Sequence, residues 1–493
     1  MNKPLKNLTR TVLLMFVALF VALTAVQVVQ ADELRANPLN ERTTRNAFKV
    51  ERGTILVGGE PIATAVPTDD LYQFRREYAN GPLYAPVTGY FSNYQGATGI
   101  EQALNSELSG LHNSQFFDRI SRILTGQDPQ GSSVELTLDP VAQQAAYEAL
   151  GEMRGAVVVM DYETGKILAL VSTPSYDPNL LSGNDNNTII TNYQALEEDP
   201  GKPLVNRAIA GDTYHPGSTY KLLTAAAAIE SGKATASSTF DDKAELTLPG
   251  SSSVMRNASQ GVCENGDKVS LETALIRSCN IPFAELAISM EAGAVSDLAK
   301  SFGFDESFTI PMRVTASASP TPNGDAQKAL SAIGQLDVRA TPLQMAIVSA
   351  TIANGGKMVE PTLVDRVISP DLRTEQESEI TVLGNPISES TASVLGDMMR
   401  KTVSDANGTA KLAAIDGVAV AGKTGTAENG TAANGQPNPY TLWFTGFAEK
   451  DDKKLAIAVV VEDGGGVTHN YQGSSYDIPT NISKRVMEAV FNQ

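Results

Sequence analysis

A serine and a lysine three residues apart open an apolar segment of the chain, and this pair could do chemistry. Ser218 and Lys221 begin the stretch STYKLLTAAAAIESG. Side chains at i and i+3 share one face of a helix, so the hydroxyl lies beside the amine. Burial among Leu and Ala favours the neutral form of a lysine, and a neutral amine can act as a general base toward a neighbouring hydroxyl. The pair predicts a serine nucleophile that needs no histidine.

The element that holds this pair is predicted to be a buried helix over residues 218–231, ending at Gly232. Ser218 falls in its first turn, where backbone N–H groups lack partners and could stabilise an oxyanion. The alternative is a chance Ser-x-x-Lys pair on an exposed helix face. The pair alone does not decide between the two.

Two further motifs favour the catalytic interpretation. A Ser-x-Asn motif and a Lys-Thr-Gly-Thr motif follow the first pair in the chain, and they comprise Ser278, Cys279 and Asn280, and Lys423, Thr424, Gly425 and Thr426. The first is weak alone, because SGN at 182–184 matches it equally well. Lys-Thr-Gly occurs once, within an apolar run typical of a strand. The three motifs in this order are specific to one group of serine enzymes.

The elements around the motifs indicate an α+β fold. Asp139 and Pro140 start a helix, and residues 155–174 form a hairpin around a DYETG turn. Three strands are predicted at 420–428, 440–449 and 454–463, with a closing helix from 478, and helices are predicted at 218–231, 270–290, 326–334 and 341–353. Strands at both ends with helices inserted between them predict an antiparallel sheet that carries a helical cluster.

The N-terminus has the composition of a membrane anchor. Lys3, Lys6 and Arg10 precede an apolar run at 12–29, which is long enough to cross a hydrocarbon core as a helix. Positive residues on this flank favour a cytoplasmic N-terminus. A cleaved signal peptide is the alternative, although VVQA before Asp32 is a poor cleavage site. We therefore expect a cytoplasmic tail, an anchor, a non-catalytic pedestal domain and an extracytoplasmic catalytic domain at 1–10, 11–31, 32–134 and 135–493.

Composition narrows the remaining function classes. The formal net charge of −18 over 493 residues argues against nucleic-acid binding, which needs basic surface. The two cysteines, Cys263 and Cys279, are either a disulfide or two buried small residues, and an extracytoplasmic location favours the disulfide. Three histidines, His112, His215 and His469, lie far apart without ligand spacing, so neither a metal site nor another cofactor is expected.

On these motifs the chain resembles the class B penicillin-binding proteins, the monofunctional serine D,D-transpeptidases of the bacterial cell wall. Similar stretches include the hairpin at 155–174, ALSAIGQLDVRATPLQMA, and KTGTAE with WFTGFA, while RGTIL and YQGATGIEQALNSELSG resemble the class B pedestal. A cysteine inside the second motif makes the actinobacterial PbpA type look most similar. One departure is GQLD at 334–337, where GQG is commoner.

The resemblance implies the fold and the role of each motif residue. The fold is the serine β-lactamase-like transpeptidase domain, with a five-stranded antiparallel sheet, flanking helices and a helical subdomain. Ser218 attacks the carbonyl between two terminal D-alanines, Lys221 takes its proton, and Ser278 relays a proton to the leaving group with help from Lys423. Asn280 holds the substrate's side amide, and its terminal carboxylate is bound by Lys423, Thr424 and Thr426. Gly425 belongs to the same substrate-binding stretch. The backbone N–H groups of Ser218 and Thr426 form the oxyanion hole.

The same resemblance implies binding partners and leaves alternative functions to consider. Expected partners are the peptidoglycan stem peptide and its amine acceptor, penicillins and other β-lactams, the membrane, and a SEDS-family glycan polymerase. A class A β-lactamase is disfavoured because no E-x-x-L-N stretch lies between the second and third motifs. A D,D-carboxypeptidase and a non-catalytic penicillin-binding scaffold or sensor remain alternatives.

Overall fold

A computed structural model describes residues 3–30, 50–70, 72–111, 130–211, 213–432 and 435–493. Asp32 and His112, named above, lie outside these ranges. The chain begins with helix α1 (Lys3–Thr24), which continues into a π-helical turn at Ala25–Val29. The stretch Pro4–Gln27 is long and apolar enough to span a membrane, with a mean hydropathy of 2.1 and no part of it buried by the rest of the protein.

The segment between α1 and residue 150 contains short strands and helices. The strands are β1 (Ile55–Val57), β2 (Glu60–Pro67), β3 (Phe74–Tyr78), β4 (Phe91–Ser92), β5 (Gly96–Ala97) and β6 (Ser133–Leu136). The helices are α2 (Gly81–Thr88), α3 (Gly99–Ala103), α4 (Asn105–Leu108) and α5 (Pro140–Leu150). Asp139 caps α5 by accepting N–H bonds from the first turn, as predicted.

The remainder of the chain forms the larger body. Its strands are β7 (Gly155–Asp161), β8 (Ile167–Thr173), β9 (Thr239–Asp241), β10 (Glu245–Thr247), β11 (Val254–Arg256), β12 (Lys268–Ser270), β13 (Phe308–Thr309), β14 (Arg313–Val314), β15 (Met358–Val359), β16 (Val364–Ile368), β17 (Thr374–Glu377), β18 (Val382–Gly384), β19 (Ala419–Ala427), β20 (Thr441–Lys450) and β21 (Lys453–Val461). Its helices are α6 (Asn186–Glu198), α7 (Lys221–Glu230), α8 (Leu271–Ile276), α9 (Ile281–Ser289), α10 (Ala294–Ser301), α11 (Asp325–Ser331), α12 (Pro342–Ala353), α13 (Glu389–Ser404) and α14 (Ile478–Phe491).

The sheet near the N-terminal end is built from two distant parts of the chain. Its strand order is β17-β16-β6-β1-β2-β3, with β1 and β6 parallel and the other neighbours antiparallel. Strands β16 and β17 come from residues 364–377, far beyond the segment that supplies the other four. The ladder therefore ties the small N-terminal unit to the larger body through backbone hydrogen bonds.

Three charged residues are buried together in this small unit. Glu101 accepts from Arg52 Nε and Arg76 Nε, both at 2.6 Å, and all three side chains are almost fully buried. The Tyr78 hydroxyl donates to the same carboxylate at 3.2 Å. Burial raises the pKa of Glu101, but Arg76 and Arg52 more than offset it, so the pKa lies below its usual value. The carboxylate is therefore ionised between two arginines.

The larger body is centred on a five-stranded antiparallel sheet of order β19-β20-β21-β7-β8. The predicted hairpin is β7–β8, and the pairing of β21 with β7 joins strands from the two ends of this region. The antiparallel sheet is confirmed. Strand β19, which contains the Lys-Thr-Gly motif, is an edge strand, so its outer side is open to other elements.

Apolar residues run without interruption along the inner strands because both faces of the sheet are covered. On β7, Val157 and Val159 enter one core while Val158 enters the other. Helices α5 and α14 pack on the first face, and α12 packs on the second. Alternate side chains of a strand point to opposite faces, so a continuous apolar run fits a sheet between two helical layers.

The helical cluster lies beside the edge strand and contains α7 to α11 and α13. The single helix predicted at 270–290 is wrong, because the chain leaves α8 at residue 276 and begins α9 at residue 281. Ser278 adopts a φ of 60°, a left-handed conformation that helical backbone excludes. Pro282 then sits in the first turn of α9, where its missing N–H costs nothing. The break falls at the second motif.

Candidate active site

Ser218 lies at a tight approach between the helical cluster and the sheet. It belongs to a 3-10 turn, Gly217–Tyr220, which runs directly into α7, rather than to the α-helix itself. Gly217 has a φ of 54°, and a Cβ there would lie 2.5 Å from the Thr426 carbonyl oxygen. Only glycine therefore lets this turn pack against β19. The Ser218 side chain is partly exposed, and no hydrogen bond engages its hydroxyl within the described residues.

Lys221 points into the interior and connects the first motif to the second. Its Nζ donates to the Ser278 carbonyl oxygen and to Asn280 Oδ1, both at 2.8 Å, and lies 5.5 Å from the Phe283 ring centroid. The side chain has no exposed surface. Burial, and then the charge of Lys423, lower the pKa of Lys221 well below its usual value. Burial thus shifts the Lys221 amine toward its neutral form, in the direction that the apolar sequence context predicts.

The break between α8 and α9 turns the second motif toward both lysines. The Ser278 hydroxyl accepts a hydrogen bond of 2.7 Å from Lys423 Nζ. Asn280 donates through Nδ2 to the Arg256 carbonyl oxygen at 2.8 Å while its Oδ1 receives Lys221. One short segment thus presents a hydroxyl, a carbonyl and an amide to the two amines.

The third motif lies within the edge strand β19. Lys423 is fully buried, and burial lowers its pKa to about 7. The Thr424 hydroxyl donates to Thr409 Oγ1 at 2.9 Å, and the exposed Thr426 hydroxyl lies 2.8 Å from Ser475 Oγ. A Cβ at Gly425 would lie 2.8 Å from the Pro216 carbonyl oxygen, so glycine permits contact between β19 and the Ser218 turn.

The structure brings all three motifs to one place, where they form a cluster of two buried lysines and four hydroxyl groups beside an edge strand. The backbones of the Ser218 turn and of β19 are adjacent there. His215 lies outside the cluster, with its carbonyl oxygen accepting from Trp443 Nε1 at 2.9 Å and its Nδ1 2.9 Å from the Val338 carbonyl oxygen. Burial and nearby Arg339 lower the pKa of His215. Its position fits a structural role.

Several residues that orient the motifs could not be found from the sequence. Asn257 Oδ1 accepts from the backbone N–H groups of Asn280 and Ile281 at 2.9 and 3.1 Å, and its Nδ2 donates to the carbonyls of Lys243 and Gly261. Thr409 and Ser475 meet the threonines of β19. Each of these residues belongs to a loop without a motif, so no local pattern marks it.

Cys263 and Cys279 form a disulfide with a Cα–Cα distance of 5.8 Å. The Cys263 loop is also held by the buried carboxylate of Asp242, which accepts backbone N–H bonds from residues 263–266. These N–H bonds outweigh burial and lower the pKa of Asp242. The disulfide therefore joins an independently anchored loop to the residue between Ser278 and Asn280.

The departure at GQLD has a backbone consequence. Leu336, at the position where GQG has its second glycine, adopts a φ of 63°. A left-handed conformation costs a residue with a Cβ about 1 kcal/mol. Leu336 therefore adopts the left-handed backbone conformation that favours glycine, although it carries a side chain.

The penicillin binding protein transpeptidase domain family matches residues 155–488, more than half of the chain. The chain belongs to this family. A second family, the penicillin binding protein A dimerisation domain, matches residues 52–134 of this penicillin-binding protein.

Relatives span nearly the whole penicillin-binding protein. Peptidoglycan D,D-transpeptidase PbpA of Mycolicibacterium smegmatis is 40% identical over 471 residues, which cover 94% of each chain. PbpA of Mycobacterium tuberculosis is 39% identical over 473 residues, with the same coverage. The ceftriaxone acyl-enzyme structure of penicillin-binding protein A from M. tuberculosis superimposes with a TM-score of 0.84 at 36% identity, covering 90% of this chain and 99% of that one. The resemblance to class B is thereby confirmed.

Proposed function

We propose that Ser218 is the nucleophile of a peptidoglycan D,D-transpeptidase and that the three motifs act on one substrate peptide. The chain is a serine-type D,D-transpeptidase that binds β-lactams, in keeping with the named relatives and the acyl-enzyme structures. The observation that carries the assignment of residues is the position of Ser218. Its side chain is partly exposed, and its turn packs against β19 beside the buried amines of Lys221 and Lys423, whose pKa values burial lowers.

In the acylation step, Ser218 Oγ forms a bond to the carbonyl carbon between the two terminal D-alanines. Its proton passes to Lys221, because burial lowers the pKa of this amine and favours the neutral form that can accept a proton. The backbone N–H groups of Ser218 and Thr426 stabilise the oxyanion, which is typically worth about 3 to 4 kcal/mol per donor. The carbon–nitrogen bond then breaks, and Ser278 passes a proton from Lys423 to the departing D-alanine nitrogen.

The edge position of β19 explains how a peptide is held during this step. One side of the active site is formed by Lys423, Thr424, Gly425 and Thr426 of β19, where the substrate's terminal carboxylate binds. Asn280, on the opposite side, holds the substrate's side amide. The close approach at Gly425 keeps the strand against the Ser218 turn. In the second step the amine of another stem peptide attacks the ester carbon and gives a proton through Ser278 to Lys423. The bond to Ser218 Oγ breaks, and Lys221 returns the proton to the serine.

We place the molecule at the cell membrane with its N-terminus in the cytoplasm. The apolar stretch Pro4–Gln27 and the positive charges of Lys6 and Arg10 support this orientation. We assign residues 1–10 to a cytoplasmic tail, 11–31 to the anchor, 32–134 to the pedestal and 135–493 to the catalytic domain, which crosslinks stem peptides outside the cytoplasm during growth or division. A SEDS-family polymerase supplies the glycan strands, because none of the motifs described here acts on sugars.

The test is mass spectrometry of residues 32–493 after incubation with a penicillin, beside Ser218→Ala and the matched variant Ser231→Ala. We expect one adduct on the peptide that contains Ser218, stable over hours, present in Ser231→Ala and absent in Ser218→Ala. An adduct on another residue would reject the assignment. Loss of the adduct within seconds would instead favour a hydrolase. Addition of an amine to the acyl-enzyme then distinguishes a transpeptidase, which transfers the acyl group to the amine, from a carboxypeptidase, which transfers it to water.

A further inference from the structure

A second cleft, of about 470 Å³, lies beside the second motif, whose Cys279 lines it. Its lining includes Asn257, Arg277 and the disulfide between Cys263 and Cys279, together with residues 406–409, 411 and 412 and Tyr476. The volume is in the range of clefts that hold small ligands.

This cleft shares residues with the framework of the active site. Asn257 accepts the N–H of Asn280 at 2.9 Å, and Thr409 accepts the hydroxyl of Thr424 at 2.9 Å. Cys279 lies directly between Ser278 and Asn280 in the chain. A group bound in the cleft would therefore sit beyond the end of the active site at which Thr424 is found.

The cleft is cationic in a chain of strongly acidic composition. Arg277 and Lys411 line it, and none of its lining residues is Asp or Glu, although the chain carries a net charge of −18. Arg277 donates to the Cys263 carbonyl oxygen at 3.1 Å and lies 3.9 Å from Glu264. Lys411 is exposed, and within the described ranges neither a hydrogen bond nor an ion pair engages it. These charges favour an anionic group.

The positions of the leaving group and of the acceptor amine indicate which substrate reaches the cleft. The acceptor amine attacks the same carbonyl that the leaving D-alanine has vacated, and by microscopic reversibility it occupies the same position. The leaving group's carboxylate is bound near Thr424, so the acceptor chain extends past Thr424 toward Thr409 and the cleft. This step rests on the function proposed above.

We propose that the cleft is a subsite for a carboxylate of the acceptor peptide, bound by Lys411 and Arg277. The test uses the ectodomain, a small N-acyl-D-alanyl thioester as donor, and diglycine and triglycine as acceptors, each as the free acid and as the C-terminal amide. The amines of each pair differ little in basicity, so the ratio of acid to amide transfer reports on the distal carboxylate. Mass spectrometry measures this ratio, and penicillin acylation is measured on the same samples.

For at least one acceptor length we expect the native chain to transfer more to the free acid than to the amide. In Lys411→Gln the ratio of acid to amide transfer should fall about threefold, as expected for the loss of one exposed ion pair. Lys233→Gln removes an exposed lysine outside the cleft and should leave the ratio unchanged. Equal use of acid and amide by the native chain, an unchanged ratio in Lys411→Gln, or acylation without transfer to any acceptor would overturn the subsite. Absence of penicillin acylation would instead reject the function proposed for Ser218, so the two failures are distinguishable.

Discussion

Lys423 Nζ donates a hydrogen bond of 2.7 Å to the Ser278 hydroxyl. Burial lowers the pKa of Lys423 to about 7, whereas burial and the charge of Lys423 hold the pKa of Lys221 well below its usual value. The two amines therefore have different roles, because the charge of Lys423 favours the neutral form of Lys221. A base and a proton donor are thus present together near neutral pH.

This division predicts a bell-shaped pH profile for acylation by penicillin. The rate constant rises as Lys221 loses its proton and falls as Lys423 loses its own, with the alkaline midpoint near pH 7. In Lys423→Arg the alkaline fall should disappear, because a guanidinium keeps its proton throughout this range. The measurement is the second-order acylation rate constant between pH 5 and about 9. An identical alkaline limb in both proteins would contradict the assignment to Lys423.

Asn257 is predicted to be a major contributor to the stability of the second motif. Asn257→Ala leaves the N–H groups of Asn280 and Ile281 and two carbonyls without their partner, at a net cost of about 2 to 4 kcal/mol in the free energy of unfolding. Urea unfolding measures this cost. Asn438→Ala, which removes one loop hydrogen bond, should change it by less than about 1 kcal/mol. Equal effects of both variants would refute a special role for Asn257.

Reduction of the disulfide should destabilise the catalytic body. Cys263 and Cys279 are separated by 16 residues, and closure of a loop of this size contributes about 3 kcal/mol on the chain-entropy model. Thermal unfolding with and without a reductant measures the effect. The variant with both cysteines changed to serine should unfold at the lower temperature and be insensitive to reductant. A native protein equally insensitive to reductant would show that the bond contributes nothing.

Glu101→Gln should destabilise the N-terminal unit by about 3 to 5 kcal/mol, because it leaves two buried arginines without a charge partner. The pKa of Glu101 is depressed, so its stabilisation is complete above the usual value of 4.5 and is lost as the pH falls below it. The difference in the free energy of unfolding between the native protein and Glu101→Gln should therefore become smaller at acid pH. Equilibrium unfolding at pH 7 and pH 3.5 measures both effects.

Glu77→Gln is the control for this experiment. Glu77 forms a 3.0 Å ion pair with Arg75, and both side chains are about half exposed. Exposed pairs contribute about 0 to 1 kcal/mol, so this variant should remain close to the native protein. If Glu101→Gln and Glu77→Gln had the same small effect, the buried cluster would not be a determinant of stability.

Much of the fold and of the site followed from local patterns in the sequence. Apolar runs predicted strands β7, β20 and β21, and Asp139 with Pro140 marked the start of α5. The three motifs are short and contiguous, so each could be recognised without knowledge of the others' positions in space. Periodicity and capping depend on neighbours within a few residues, and such information is present in the sequence itself.

The tertiary structure decided how these pieces meet. The left-handed backbone of Ser278 breaks the helix predicted at 270–290, and the contacts of Asn257 with Asn280 hold that break open. Strands β16 and β17 join a sheet whose other four members lie more than two hundred residues earlier, through ladder bonds that no local pattern encodes. The sequence determined which side chains could do the chemistry. Their pKa values and distances depended on burial by distant segments, because desolvation and hydrogen bonding are properties of the folded surroundings.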